Sequence, residues 1–151
     1  MIRYAFLLLL SLAALSFSHP TAFHSYVSFK GTKQGQLKGS STSKDRAKDG
    51  WFEVLSFEMG TEVPVDPKSG RTAGARPHPV TIHKKLDDAT PLLYNALSNK
   101  EPFETIIIQT IDDNNKVTKT TTLTNALISG IKKNGTLEDI SFTYEKIESK
   151  Q

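Results

Sequence analysis

Glu104 to Leu123 reads ETIIIQTIDDNNKVTKTTTL, and the reading of this stretch decides the fold. Glu104–Ile111 holds Ile106-Ile107-Ile108 in succession. An extended segment alternates its side chains, so this run is apolar on both faces. Asp112-Asp113-Asn114-Asn115 is turn chemistry, because short polar side chains bond to their own nearby backbone. Val117–Leu123 is rich in threonine, whose branched Cβ suits a pleated strand. Two extended runs about a polar turn make an antiparallel hairpin.

The same period recurs on either side. Phe23–Phe29 places Phe23, Ser25, Val27 and Phe29 on one face and His24, Tyr26 and Ser28 on the other. Trp51–Met59 is a strand apolar on both faces, and Val80–Leu86 is a short one. Ala126–Ile131 is another, Asn134-Gly135 is a tight-turn pair, and Ile140, Phe142 and Tyr144 alternate along the last. The period changes once. Thr90 is suited to cap a helix with Pro91 at its first position, where no N–H is needed. Asp87 and Asp88 sit at the positive end of its dipole. Leu92, Leu93, Ala96 and Leu97 form one stripe, and the helix ends near Asn99 or Lys100, before Pro102. The pattern predicts a mainly β protein: a small antiparallel β-barrel or sandwich of two sheets with one flanking α-helix.

Two segments stand apart. Gly31–Gly50 and Gly60–Pro79 each run to about twenty residues, longer than the roughly 12–15 usual for structureless loops. The first carries Lys30, Lys33, Lys38, Lys44, Arg46 and Lys48 at or near it, among Gly, Ser and Gln. It lacks the interleaved aromatics of a nucleic-acid surface and reads as a solvated loop. The second contains Val63, Pro64, Val65 and Pro67, which can pack, and Arg71 and Arg76, which can pair with acids.

The chain has 151 residues, 37% hydrophobic and 23% charged, one domain's worth of globular composition. It has no cysteine, which excludes disulfides, thiolate metal sites and a cysteine nucleophile. Residues 1–18 read as a signal peptide. Arg3 supplies the positive end, Ala5–Leu15 the apolar run, and Ser16-Phe17-Ser18 the small residues of a cleavage site. The run is too short to span a bilayer comfortably, which takes roughly 20 residues. Cleavage after Ser18 leaves residues 19–151 as a single domain; Ser16 and Ala22 are alternative sites, and an uncleaved anchor is the other reading. Loss of Arg3 leaves 18 basic against 16 acidic residues, a net charge of +2.

No catalytic constellation is legible. The histidines are His19, His24, His78 and His83. The last two are five apart on an extended stretch, hence on opposite faces and unable to share a metal. No Gly-x-Ser-x-Gly turn is present. Asp87-Asp88 and Asp112-Asp113 are helix-end and turn residues rather than a carboxylate pair. Gly70 and Gly74 do not open a helix after a strand, so they make no phosphate cradle. Asn134-Gly135-Thr136 matches a glycosylation sequon.

Six phrases in order carry a family resemblance. They are Gly35–Ser41 (GQLKGSS), Gly50–Ser56 (GWFEVLS), Ser69–Leu86 (SGRTAGARPHPVTIHKKL), Thr90–Leu97 (TPLLYNAL), Leu123–Ile128 (LTNALI) and Ile140–Ile147 (ISFTYEKI). Over about residues 22–147 the chain resembles the haemolysin-coregulated protein (Hcp) family, whose members form the tube of bacterial type VI secretion systems. The resemblance implies a compact two-sheet barrel with a flanking helix. It implies a structural protein, not an enzyme, that forms hexameric rings stacking into a hollow tube with effectors in the lumen. No cofactor and no metal are implied. The partners would be further copies of the chain, effector proteins and spike and sheath components, with no nucleic acid and, once mature, no membrane. The resemblance also makes Gly60–Pro79 the family's extended loop, which reaches neighbouring subunits. Val63, Val65, Gly70, Arg71, Gly74 and Arg76 are then interface residues. The signal-like start adds an alternative: a secreted ring-forming binding or adhesion module acting outside a contractile machine.

Overall fold

The computed structural model describes residues 23–62, 69 and 76–151. In chain order the elements are β1 (His24–Gly31), β2 (Gly35–Gln36), α1 (Lys44–Lys48), β3 (Trp51–Val54), β4 (Ser56–Glu58), β5 (Thr61–Glu62) and β6 (Arg76–Pro77). They continue as β7 (Val80–Lys85), α2 (Thr90–Ser98), β8 (Phe103–Ile111), β9 (Val117–Asn134), β10 (Leu137–Thr143) and β11 (Lys146–Lys150). Every strand pairing is antiparallel.

The architecture is mainly β, as the alternation predicts. A first sheet runs β3–β1–β8–β9–β11, and a second runs β9–β10–β7–β4. It is a barrel-like sandwich rather than a closed barrel, since among the described residues β3, β4 and β11 each pair with a single strand. β9 belongs to both sheets. Its first half pairs with β8 and β11, and from Leu127 it pairs with β10. The two strands expected at Val117–Leu123 and Ala126–Ile131 are therefore one strand of 18 residues. Asn125, at φ 48°, takes up the turn between sheets without breaking the strand. Opposite Gly130 a bulge between Ser141 and Phe142 adds twist.

The run Trp51–Met59 does the reverse and divides. Val54 pairs with Ser25 in the first sheet, and Ser56 pairs with His83 in the second. Leu55 turns the corner, its N–H bonded to the His83 carbonyl at 2.8 Å.

The core lies between the sheets. Phe29 stands at its centre, with ring centroids 5.5 Å from Phe52, 5.6 Å from Phe103 and 5.9 Å from Phe142. Phe29 and Phe142 come from different sheets, so this cluster ties the two layers together. Leu93 and Ala96 of α2 are buried against the same core, as the helical stripe predicts. The cap differs from expectation. Thr90 is the first helical residue, the N-cap position Ala89 makes no side-chain cap bond, and Asp87 holds the turn before the helix: its Oδ1 accepts the Ala89 N–H at 3.0 Å, while Thr90 Oγ1 accepts the Asp87 N–H at 3.1 Å.

The segment Gly31–Gly50 is not a solvated loop. It folds over the outer face of β1 and β3 and contains β2 and the short helix α1. Leu37 is buried and donates its N–H to the Phe29 carbonyl at 3.0 Å. The Arg46 guanidinium lies 4.5 Å from the Tyr26 ring centroid and 5.8 Å from that of Trp51. A composition of Lys, Gly and Ser hides this cover, because its contacts are made by backbone and by the stem and plane of one arginine.

Gly39 explains why the cover sits so close. A Cβ there would come 2.1 Å from the Trp51 carbonyl oxygen and 2.6 Å from its nitrogen, both backbone atoms that cannot swing away. Gly39→Ala is expected to lower stability by about 2–3 kcal/mol, read from urea denaturation of the two proteins. A loss under about 0.5 kcal/mol, the range of ordinary surface changes, would contradict this packing.

The turn after β1 is held by Glu101, 4% exposed. Its Oε1 accepts the N–H groups of Lys33 at 2.8 Å and Gln34 at 2.9 Å, and Oε2 accepts the Gln34 side-chain amide at 3.0 Å. Burial opposes ionisation, but these donors and the nearby Lys33 charge outweigh it and hold the carboxyl below its ordinary 4.5. A depressed carboxylate contributes stability above its unfolded pKa and loses it as pH falls through the folded value. Glu101→Gln should therefore cost about 1–2 kcal/mol at pH 7, and the gap should narrow below pH ~4. Equal gaps at pH 7 and pH 3 would contradict the assignment.

Candidate assembly surfaces

The residues that could carry chemistry are occupied with one another. β7 alternates strictly: Val80, Ile82 and Lys84 face inward, and Thr81, His83 and Lys85 face outward. Lys84 is thus delivered to the interior, fully buried. Its Nζ donates to Glu138 Oε1 at 2.7 Å, Asp87 Oδ1 at 2.8 Å and the Lys85 carbonyl at 2.8 Å. Glu138, inward on β10 and also fully buried, further accepts the Thr90 hydroxyl at 2.8 Å. Its Oε2 has no partner. This ionic knot joins β7, β10 and the start of α2. Lys84 and Glu138 are closed off from solvent, and Asp87 is the member of the knot that reaches the surface.

On the outer side, His83 Nδ1 lies 2.6 Å from Asp139 Oδ1 and its Nε2 lies 3.9 Å from Glu58 Oε1. His78 precedes β7 and lines a cleft of about 370 Å³ with Gly60, Thr81 and Ser141, so the strand's parity does not extend to it. Among the described residues no three His, Asp or Glu side chains could hold a metal ion. A second cleft, of about 200 Å³, has Leu55 and Leu86 in its wall. Its Ser40 hydroxyl donates to Asp87 Oδ2, and its Thr42 hydroxyl donates to Glu53 Oε2 at 2.9 Å.

The surfaces offer edges and faces instead. Among the described residues β11 and β4 each leave one side of the backbone unpaired by a strand. On the outer face of the first sheet, Ser28, Ile107, Thr122 and Glu148 lie side by side across β1, β8, β9 and β11. The cover protects the β3–β1 half, where Arg46 lies over Trp51 and Gln36 Nε2 donates to Ser28 Oγ at 2.9 Å. The β9–β11 half is open, so Ile107 is the apolar residue of Glu104–Ile111 left half-buried on that face.

Of the residues assigned to the contact arm, Val63, Val65, Gly70, Arg71 and Gly74 lie outside the described residues. Arg76 begins β6, opposite Glu62 on β5, and Thr61 faces Pro77. The His78 N–H closes the ribbon onto the Gly60 carbonyl at 3.1 Å. Glu62 and Arg76, which flank residues 63–75, therefore lie side by side.

Two antiparallel sheets that share β9, with strand edges at β4 and β11 unpaired among the described residues, define a two-sheet β protein with backbone available for association. Residues 26–150 match the family model for the type VI secretion system effector, Hcp, and the chain belongs to that family of tube proteins. It is 34% identical over 146 residues to the major exported protein of Pseudomonas aeruginosa, covering 81% of this chain and 85% of that protein. Among solved structures it is similar to the Hcp1 protein of E. coli EAEC 042, with a TM-score of 0.72 and 25% identity over 83% of this chain and 89% of that one. It is also similar to the secreted protein Hcp3 from Pseudomonas aeruginosa, with a TM-score of 0.66 and 30% identity over 83% and 88% of the two chains. Among the described residues no helix is long and apolar enough to cross a membrane.

Proposed function

We propose that the protein forms hexameric rings that stack into the tube of a type VI secretion system, with effector proteins travelling in the lumen and the spike and sheath as further partners. The observation that carries this is the family match over residues 26–150 together with the two-sheet fold. Strand edges left open among the described residues, together with the family match, support a structural role. Val63, Val65, Gly70, Arg71, Gly74 and Arg76 form the arm that contacts neighbouring subunits. The mature chain begins at His19 after removal of residues 1–18. The signal-like Arg3, Ala5–Leu15 and Ser16–Ser18 arrangement also favours a second reading, a secreted ring that acts outside a contractile machine. Intact mass of the protein from its host decides the processing; a dominant full-length species excludes it.

Because Glu62 and Arg76 are already paired, residues 63–75 can be replaced by a short Gly-Ser link with little strain on the barrel. The variant is expected to keep the wild-type circular dichroism and to lose ring closure or stacking in sedimentation velocity. Unchanged assembly would remove the arm from the interface.

A further inference from the structure

We propose that His83 is an acid-responsive clasp: by taking up one proton it fastens the edge strand β4 onto β7. On the outer face of the second sheet His83 lies opposite Ser56 of β4 on one side and Asp139 of β10 on the other. Its two ring nitrogens face two different carboxylates. Nδ1 is 2.6 Å from Asp139 Oδ1, a hydrogen bond, whereas Nε2 is 3.9 Å from Glu58 Oε1, beyond hydrogen-bond reach. An ionised carboxylate only accepts, so the neutral ring keeps its single proton on Nδ1 for Asp139 and turns a lone pair toward Glu58. Two acceptors then face each other, and nothing draws them together. A second proton, on Nε2, converts that contact into a charge-assisted hydrogen bond. The His83 side chain is 27% exposed and that of Glu58 79%, so water reaches the ring and Glu58 can swing inward.

β4 is a strand with little else to hold it. It is three residues long and pairs, among the described residues, with β7 alone. A bond from its last residue, Glu58, through His83 to Asp139 ties it across β7 to β10. Gly60, two residues further on, accepts the His78 N–H at the foot of the β5–β6 ribbon, so fixing β4 also fixes that foot. The other charged groups around the ring are Lys85, next on the same face of β7, and Lys132 of β9, opposite Asp139. Glu53 of β3 and Asp87 share a cleft with Lys85, and His78 shares the other cleft with Glu58. The lysines oppose the added proton, but the ring nitrogens themselves face carboxylates. Linkage fixes the sign. A proton held more tightly by the closed clasp than by the open one stabilises closure at low pH. The gain is lost as pH rises through the range in which histidine titrates, about pH 5–8. The clasp acts within one copy of the chain and does not depend on the tube reading.

The test is amide hydrogen exchange of the full chain at about pH 5.5 and about pH 8, corrected for the intrinsic pH dependence of exchange. The concentration is one at which sedimentation shows the same species at both pH values. Amides of β4 should be protected about two- to fivefold more at the lower pH, measured against those of β8 and β9 in the same molecule. Glu58→Ala, at a largely exposed position, should fold normally and lose that gain. In the same variant the His83 imidazole, followed by NMR, should titrate about 0.3 pH unit lower than in the wild type. His78→Gln should keep both the gain and the titration of His83. Equal β4 protection at the two pH values in the wild type would overturn the proposal. So would a gain that survives Glu58→Ala, or one that disappears with His78→Gln.

Discussion

Lys84→Met is expected to lower the stability of the folded chain by about 3–5 kcal/mol, and replacing Glu138 by Leu in the same molecule should recover most of that loss. The asymmetry follows from the knot. With the ammonium gone, a fully buried carboxylate keeps only the Thr90 hydroxyl, and Glu138 Oε2 is already without a partner. A buried charge so stranded suffers its full desolvation penalty. Removing both charges leaves two apolar side chains of suitable length between β7, β10 and α2. At roughly 4 °C per kcal/mol for a chain of this size, the single variant should melt about 12–20 °C lower. A single-variant loss below about 1 kcal/mol, or a double variant no better than the single, would contradict the description of the pair.

Phe29→Ala should cost about 3–5 kcal/mol. The residue has no exposure and touches three other phenylalanine rings, one of them from the second sheet. Deleting it opens a cavity at the seam between the layers, where neither sheet can move inward without losing its strand register. Phe29→Leu fills most of the space and should cost about 1.5 kcal/mol or less. Phe23→Ala is the control: the side chain is on the same strand face by parity but exposed, and the change should cost under about 0.5 kcal/mol. Equal losses at Phe23 and Phe29 in guanidinium titrations would place the core elsewhere.

Much of this is legible in the sequence. Period-two alternation located most of the strands, and the change of period at Thr90 located α2. Junctions were harder. Asn125 looks like a turn residue, and a non-glycine at positive φ inside a strand cannot be anticipated from composition, so β9 reads as two. Leu55 looks like one more apolar strand residue, and only the pairing partners on either side reveal a corner. β11 escaped because Lys146–Lys150 alternates charges along an edge, with little apolar signal. The ionic knot was available from parity alone. Lys84 continues the inward series of Val80 and Ile82, and Glu138 that of Ile140 and Phe142. Two opposite charges at core positions on paired strands predict a buried pair. The cover over β1 was hidden for a different reason: its fit depends on Gly39 and Gly50 allowing backbone contact, and glycine in a polar run suggests looseness rather than closeness.

The central claim is self-assembly, and it is tested most directly by the mass of the purified mature chain in solution. Light scattering and negative-stain images at rising protein concentration should show a closed ring of six copies, with stacks growing out of it as concentration rises. A strictly monomeric protein at the highest concentration would contradict the tube reading outright, whatever the fold it shares with its relatives.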